Sequence, residues 1–199
     1  MTRKYFLSLF TLSLLLLSSS ALGQDREYPK TEFFGGFSYR NADVGTRENF
    51  FGWQASISDN FHEKIGLVVD VGGQYGTFHL SCPAFLLPCP SFDARIQYHD
   101  VSFGPRFMVR GERVTWFANT TVGVRFANPS ESTSDPDVVL DPEAPDEFFL
   151  LGFGGGMDVS ASDSMGIRVF QFDYRPNRAS GIWLHDIRFS SGIVFKWNY

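Results

Sequence analysis

The chain has 199 residues, of which 43% are hydrophobic and 17% aromatic, with 22 Phe and 19 Gly. That length suffices for one domain with a sizeable core, and such an aromatic load argues against disorder. Seventeen Lys and Arg stand against 22 Asp and Glu, a net charge of −5 with no basic run, so nucleic acid is not the expected partner.

Residues 1–23 read as a secretory signal peptide. Arg3 and Lys4 form its charged start, 5–17 its apolar run, and 18–23 a small-residue exit with Ala21 and Gly23 at the cleavage positions. The apolar run is shorter than the roughly 20 residues a spanning helix needs. The exported domain is expected to be 24–199, with strands from about residue 31.

From there the chain divides into eight segments with a period of two, the signature of strands. The first, 31–41, sets Phe33, Phe37 and Tyr39 against Glu32, Ser38 and Arg40. The second, 49–59, sets Phe51, Trp53 and Ile57 against Gln54 and Ser58. The third, 64–76, sets Leu67, Val69 and Tyr75 against Asp70 and Gln74. The fourth, 94–109, sets Val101, Phe103 and Phe107 against Asp100 and Arg106. The fifth, 113–127, sets Trp116, Val122 and Phe126 against Asn119 and Arg125. The sixth, 147–159, sets Phe149, Phe153 and Met157 against Gly154 and Asp158.

The seventh, 164–175, changes parity. Ile167 and Val169 share one face, whereas Phe170, Phe172 and Tyr174 fall on the other, and a bulge near 169–170 would restore a continuous apolar side. The eighth closes the chain: Ile187, Phe189, Ile193, Phe195, Trp197 and Tyr199 alternate with Arg188, Ser190, Lys196 and Asn198. It is about twice the usual strand length and long enough to cross a bilayer when tilted.

Short polar turns at 59–64, 110–113 and 160–164 alternate with longer stretches at 42–48, 77–93, 128–146 and 176–182. This alternation predicts an all-β, eight-stranded antiparallel up-and-down transmembrane barrel, with short periplasmic turns, four longer surface loops and both mature termini periplasmic. A soluble lipocalin-type barrel would carry its apolar residues inside. Here they oppose faces rich in Gly, Ser, Asp and Arg.

The stretch from Asp173-Tyr174 through Ile187-Arg188-Phe189-Ser190-Ser191-Gly192-Ile193-Val194-Phe195, with its aromatic chain end, resembles the last hairpin of small barrels in the outer-membrane β-barrel domain family, the porin-like type related to the OmpA transmembrane domain. The resemblance covers about 31–199, without a peptidoglycan-binding domain behind the eighth strand. It implies an outer-membrane location and insertion by the outer-membrane machinery through the C-terminal strand. It also implies contact with outer-membrane lipid and lipopolysaccharide, a monomeric state, and a structural or surface-interaction role without catalysis.

The inward set is expected to contain Glu32, Arg40, Asp70, Asp100, Arg106, Arg125, Asp158, Arg168, Arg188 and Lys196, with Gln54, Gln74 and Asn119. Eight strands leave an interior that side chains can fill, and charges sealed there must pair. Two readings stand: a polar plug, or a narrow path for ions and small solutes lined by the same groups. Trp53, Tyr75, Trp116, Trp183, Trp197 and Tyr199 are expected at the membrane interfaces. Cys82 and Cys89 bracket Pro-Ala-Phe-Leu-Leu-Pro and are expected to form a local disulfide in an oxidising compartment.

No cofactor or metal site is expected. The histidines are His62, His79, His99 and His185, and a Ser–His–Asp set can be drawn from Ser190 or Ser191 with His185 and Asp186. Proximity in sequence does not make a triad, so a barrel lipid hydrolase is the third reading.

Overall fold

The computed structural model describes residues 28–43, 47–80, 92–130, 147–179 and 181–198. The expected leader, both cysteines, the acidic 131–146 segment and Tyr199 lie outside these residues. Eight antiparallel strands close into a barrel in sequence order: β1 (Thr31–Asp43), β2 (Arg47–His62), β3 (Ile65–Leu80), β4 (Phe92–Arg110), β5 (Val114–Ser130), β6 (Glu147–Ser160), β7 (Met165–Ala179) and β8 (Ile182–Trp197). Thr31 of β1 lies opposite Trp197 of β8, so the first and last strands meet and no edge remains.

The expected loops at 42–48 and 176–182 are largely strand. Ala42 and Asp43 belong to β1, Arg47 and Glu48 to β2, residues 176–179 to β7, and Ile182 to β8. The β7–β8 hairpin turns through Gly181, whose φ of 86° suits a residue without a side chain. The second stretch looked like a loop because its inward residue is itself polar: Asn177 points into the lumen and is buried. Pro176 pairs with His185 near the strand end, where a missing N–H costs little.

The parity change in β7 is a bulge. Asp158 lies opposite Arg168 but Met157 lies opposite Phe170, so Val169 is the extra residue. The register with β8 shifts between Arg168 and Gln171 at the same place. Arg168 and Gln171 are both buried, while Val169, Phe172 and Tyr174 stay on the outside. One inserted residue therefore keeps both faces consistent along the strand.

The register also fixes the strand tilt. Thr31 pairs with Asp59, Asp59 with Leu67, and Leu67 with Pro105. The flanking pairs set Pro105 opposite Thr120, and the path runs on through Phe153, Tyr174 and Ile187 to Asn41, ten residues beyond its start. Such an offset in an eight-stranded barrel means strands inclined by about 40°.

The outer face is apolar over its middle. Phe33, Phe37, Leu67, Val69, Phe103, Phe107, Phe153, Ile167, Phe172, Ile193 and Phe195 are all exposed there. The outward charged residues Asp59, Arg47, Arg95, Glu147 and Arg178 lie beyond this zone. Ten residue steps of about 3.3 Å, inclined by about 40°, give a band roughly 25 Å tall, the height of a bilayer's hydrocarbon zone at a barrel wall.

The β8–β1 seam depends on two inward glycines. Gly36 and Gly192 face each other across it. A Cβ on Gly36 would lie 2.2 Å from the Ser191 carbonyl oxygen, and one on Gly192 would lie 2.3 Å from that of Gly35. Both obstacles are backbone atoms of the neighbouring strand, which cannot rotate away. Gly192→Val should therefore destabilise the closed barrel by about 1–3 kcal/mol or more. The measurement is the urea midpoint of the refolded chain, followed by gel mobility with and without boiling. An unchanged midpoint would show that the seam tolerates a side chain.

Candidate functional site

The alternation along each strand sends one polar set into the lumen. Buried there are six arginines (Arg40, Arg106, Arg125, Arg168, Arg175 and Arg188) and six carboxylates (Glu32, Asp70, Asp100, Asp158, Asp173 and Asp186). They alternate in space from one end of the barrel to the other.

At the loop end Asp186 is the hub. It accepts from Arg40 Nε at 3.0 Å, from Arg125 and from Asn177 Nδ2 at 2.9 Å, and it caps the Asp43 backbone N–H at 3.1 Å. Arg125 also holds Asp100 through two bonds, at 2.6 and 3.2 Å. The Arg40 guanidinium lies 4.5 Å from the Tyr98 ring centroid, and Tyr98 meets Phe50 edge-on at 5.3 Å. Ala42, Phe50 and Tyr98 form a buried apolar cluster, with Ile96 and Ala127 packed against it. An apolar stopper thus lies inside the lumen beside the outermost charges.

In the middle, Arg175 bridges Asp100 at 3.2 Å and Asp70 at 3.6 Å. Arg188 joins Asp70 at 2.9 Å to Asp173 at 2.7 Å, and Gln54 donates to Asp70. Gln171 donates to both oxygens of Asp173 at 2.9 Å. Gln74 bonds Ser38 at 2.9 Å. A pocket at this level, lined by Asp70, Asn119, Asp173, Arg175 and Arg188 among others, has about 10 Å³ of free space. That is room for about one water molecule.

Toward the turn end, Asp158 receives two bonds from Arg168, at 2.8 and 3.0 Å, and one from Arg106 at 3.1 Å. Glu32 takes Arg106 at 3.4 Å and Arg110 at 2.8 Å. The like-charged Arg106 and Arg168 share Asp158, and Phe117 lies 4.2 Å from one guanidinium and 4.3 Å from the other. Each cation thus also meets an electron-rich ring. Beyond this layer the lumen widens into a recess of about 500 Å³, bordered by Glu63, Arg110, Glu112, Asp163 and Lys196. Lys196 is half-buried and donates to Ser160.

Every inward charge expected from the sequence thus lies in the lumen, and Gln171, Asp173, Arg175, Asn177 and Asp186 join the set. The signal for these was the parity itself, carried past the bulge in β7 and back to the start of β8. Trp116, Trp183 and Trp197 lie near strand ends and are exposed. Trp53 lies within β2, opposite Phe37 and Gly73, and its indole N–H reaches the Tyr75 hydroxyl at 3.4 Å.

The Ser–His–Asp set is not assembled. His185 is exposed on the outer face, its Nδ1 2.6 Å from the Tyr174 hydroxyl. Asp186 and Ser190 are buried on the inner face. The barrel wall separates base from acid. Ser191 faces outward, but it lies six residues along the strand, about 20 Å away, and donates to the Arg168 carbonyl at 3.0 Å. Among the described residues, no three of His, Cys, Asp and Glu are grouped to hold a metal ion.

Neither a family model nor a curated protein matches the chain. Solved structures do. OprG, an outer membrane protein of Pseudomonas aeruginosa, matches with a TM-score of 0.65 at 9% identity, over 87% of this chain and 98% of that one. Neisserial surface protein A matches with 0.59 at 11% identity, over 86% and 100%. Ail, the attachment invasion locus protein of Yersinia pestis, in complex with the heparin analogue sucrose octasulfate, matches with 0.53 at 16% identity, over 85% and 100%. At these identities the likeness is one of fold.

Asp186 tests the interior. Asp186→Ala strips Arg40 and Arg125 of a shared carboxylate in a dry site, and breaking a buried pair costs about 3–5 kcal/mol. Urea unfolding of the refolded barrel should show a loss of that size, and the exposed His185→Ala should show almost none. Equal midpoints for the two would mean that the buried pairs contribute nothing.

Proposed function

We propose that the chain is a non-enzymatic barrel spanning the outer membrane of a Gram-negative-type bacterium, closed to ions and acting through its outward-facing rim. Its termini are periplasmic and the loop end faces outward. The observation that carries the closed reading is the mid-lumen: Asp70, Asp173, Arg175 and Arg188 leave only about 10 Å³ between them. The membrane reading is supported by the apolar outer band, which would be an aggregation surface in water but suits lipid. A closed barrel also satisfies every strand's backbone without an edge, as a lipid environment requires.

Charge balance supports the plug. Six fully buried cations face six buried anions, so the sealed part of the lumen has no excess sign to attract one kind of ion. A conducting path lined by one sign would concentrate counter-ions; a paired lumen does not. The apolar cluster of Ala42, Phe50 and Tyr98 adds a barrier at the loop end. The role is then structural and surface-directed, with lipid and the outer rim as the contacts.

Planar-bilayer recording of refolded Gln24–Tyr199 checks this directly. The expected record is silent, from a protein that shows the folded shift on gels. Reproducible steps whose ion selectivity changes on Arg188→Ala would overturn the plug and establish a path through the middle layer.

A further inference from the structure

We infer that the recess at the turn end of the barrel binds a compact zwitterion, an amino acid or dipeptide with free ends. Lys196 and Thr115 hold its carboxylate, and Asp163 faces its ammonium. The recess, of about 500 Å³, opens among the β2–β3, β4–β5 and β6–β7 turns and the turn-end residues of β8. Small-molecule sites run from roughly 300 to 1,000 Å³. The ion-paired layer of Glu32, Arg106, Asp158 and Arg168 lies across its inner end, and the proposed closed lumen makes that layer a floor. A solute that enters is held, not passed on.

The two cations of the recess are not equivalent. Arg110 is committed: it donates to Glu32 at 2.8 Å, to the Glu63 carbonyl at 3.1 Å and toward the Met108 sulfur at 2.9 Å. Lys196 reaches from β8 to β6, where it donates to the Ser160 hydroxyl. Gly166 of β7, which pairs with Ser160 on one side and Val194 on the other, leaves that route clear. Even a Cβ there would lie 3.7 Å from Lys196 Cε, so a larger side chain would stand in the way.

Ser160 engages one of the three N–H donors of the ammonium. No carboxylate among the described residues lies within ion-pair distance of this half-buried group. A cation drawn from bulk water onto one neutral partner has donors left for an anion. Thr115 of β5 lines the same recess and is 7% exposed, and its hydroxyl has no hydrogen-bond partner among the described residues. An unmatched buried hydroxyl is a second donor for the same anion.

The rim selects which anion. Each of the three turns places one carboxylate there: Glu63, Glu112 and Asp163. Glu63 meets Lys64 at 3.5 Å, whereas the exposed Asp163 has no ion-pair partner among the described residues. A polyanion such as a phosphate would meet like charge at this mouth. A molecule with a carboxylate at one end and an ammonium at the other meets opposite charge at both.

Saturation-transfer NMR of alanyl-alanine with refolded Gln24–Tyr199 in phosphatidylcholine nanodiscs tests this, with empty nanodiscs as the blank. Saturable binding is expected. N-acetyl-alanyl-alanine amide, the same backbone without either charge, should bind the parent about tenfold more weakly or worse, and alanyl-alanine should bind Lys196→Met as weakly. Thr115→Val, which keeps the shape of the side chain, and Asp163→Asn should each weaken binding severalfold. Arg95→Gln, which removes an exposed charge at the loop end, should change nothing. Absence of saturable binding to the inserted parent, or equal binding of the free and capped dipeptides, would overturn the inference without requiring any variant to fold. Equal affinity of the parent and Lys196→Met, both showing the folded gel shift, would overturn it as well.

Discussion

Charge pairing away from bulk water is the constraint on which the interior depends. Eight inclined strands enclose a lumen that side chains fill, and this sequence fills much of it with ions. A guanidinium sealed there alone would cost several kcal/mol; one that shares two carboxylates does not. Four of the six buried arginines each reach two carboxylates, and Arg175 joins Asp70 to Asp100. Arg125 joins Asp100 to Asp186, Arg188 joins Asp70 to Asp173, and Arg106 joins Glu32 to Asp158. Each bridge includes one partner from a non-adjacent strand, Asp186 of β8 for Arg125, Asp70 of β3 for Arg188 and Glu32 of β1 for Arg106, and these pairs act as struts across the lumen. Where two cations come close, Arg106 and Arg168, both donate to Asp158 and both lie against the Phe117 ring.

The rest of the architecture follows from putting the polar groups inside. Once the strands turn their small and charged faces inward, the Phe, Ile, Val and Trp of the alternate positions form the wall. The wall is then suited to lipid, and only its upper and lower margins carry groups that can meet water or lipid heads. A closed middle moves any specific recognition to those margins.

Strand existence and face were legible in the sequence because a period of two is enforced twice, once by lipid outside and once by ion pairing inside. The bulge was legible for the same reason, since Phe170, Phe172 and Tyr174 could not all point inward. The ends of β7 and β8 were not legible. Past the expected end of the seventh strand at 175, Asn177 has the composition of a surface loop, and its bond to Asp186 shows that it belongs to the core. Pairing at that hub is non-local: Arg40 and Asp186 are 146 residues apart.

The bulge at Val169 works as a phase shifter. Everything on its loop side is advanced by half a period relative to the turn side, and the inward run of Gln171, Asp173, Arg175 and Asn177 exists only because of that advance. Four polar side chains, two of them charged, thus owe their address to one aliphatic residue that touches none of the ion pairs. The frame of this strand is as consequential as its composition. A one-residue deletion there would turn Asp173 and Arg175 out toward the lipid and Phe172 and Tyr174 in among the charges, while leaving every other letter of the strand intact.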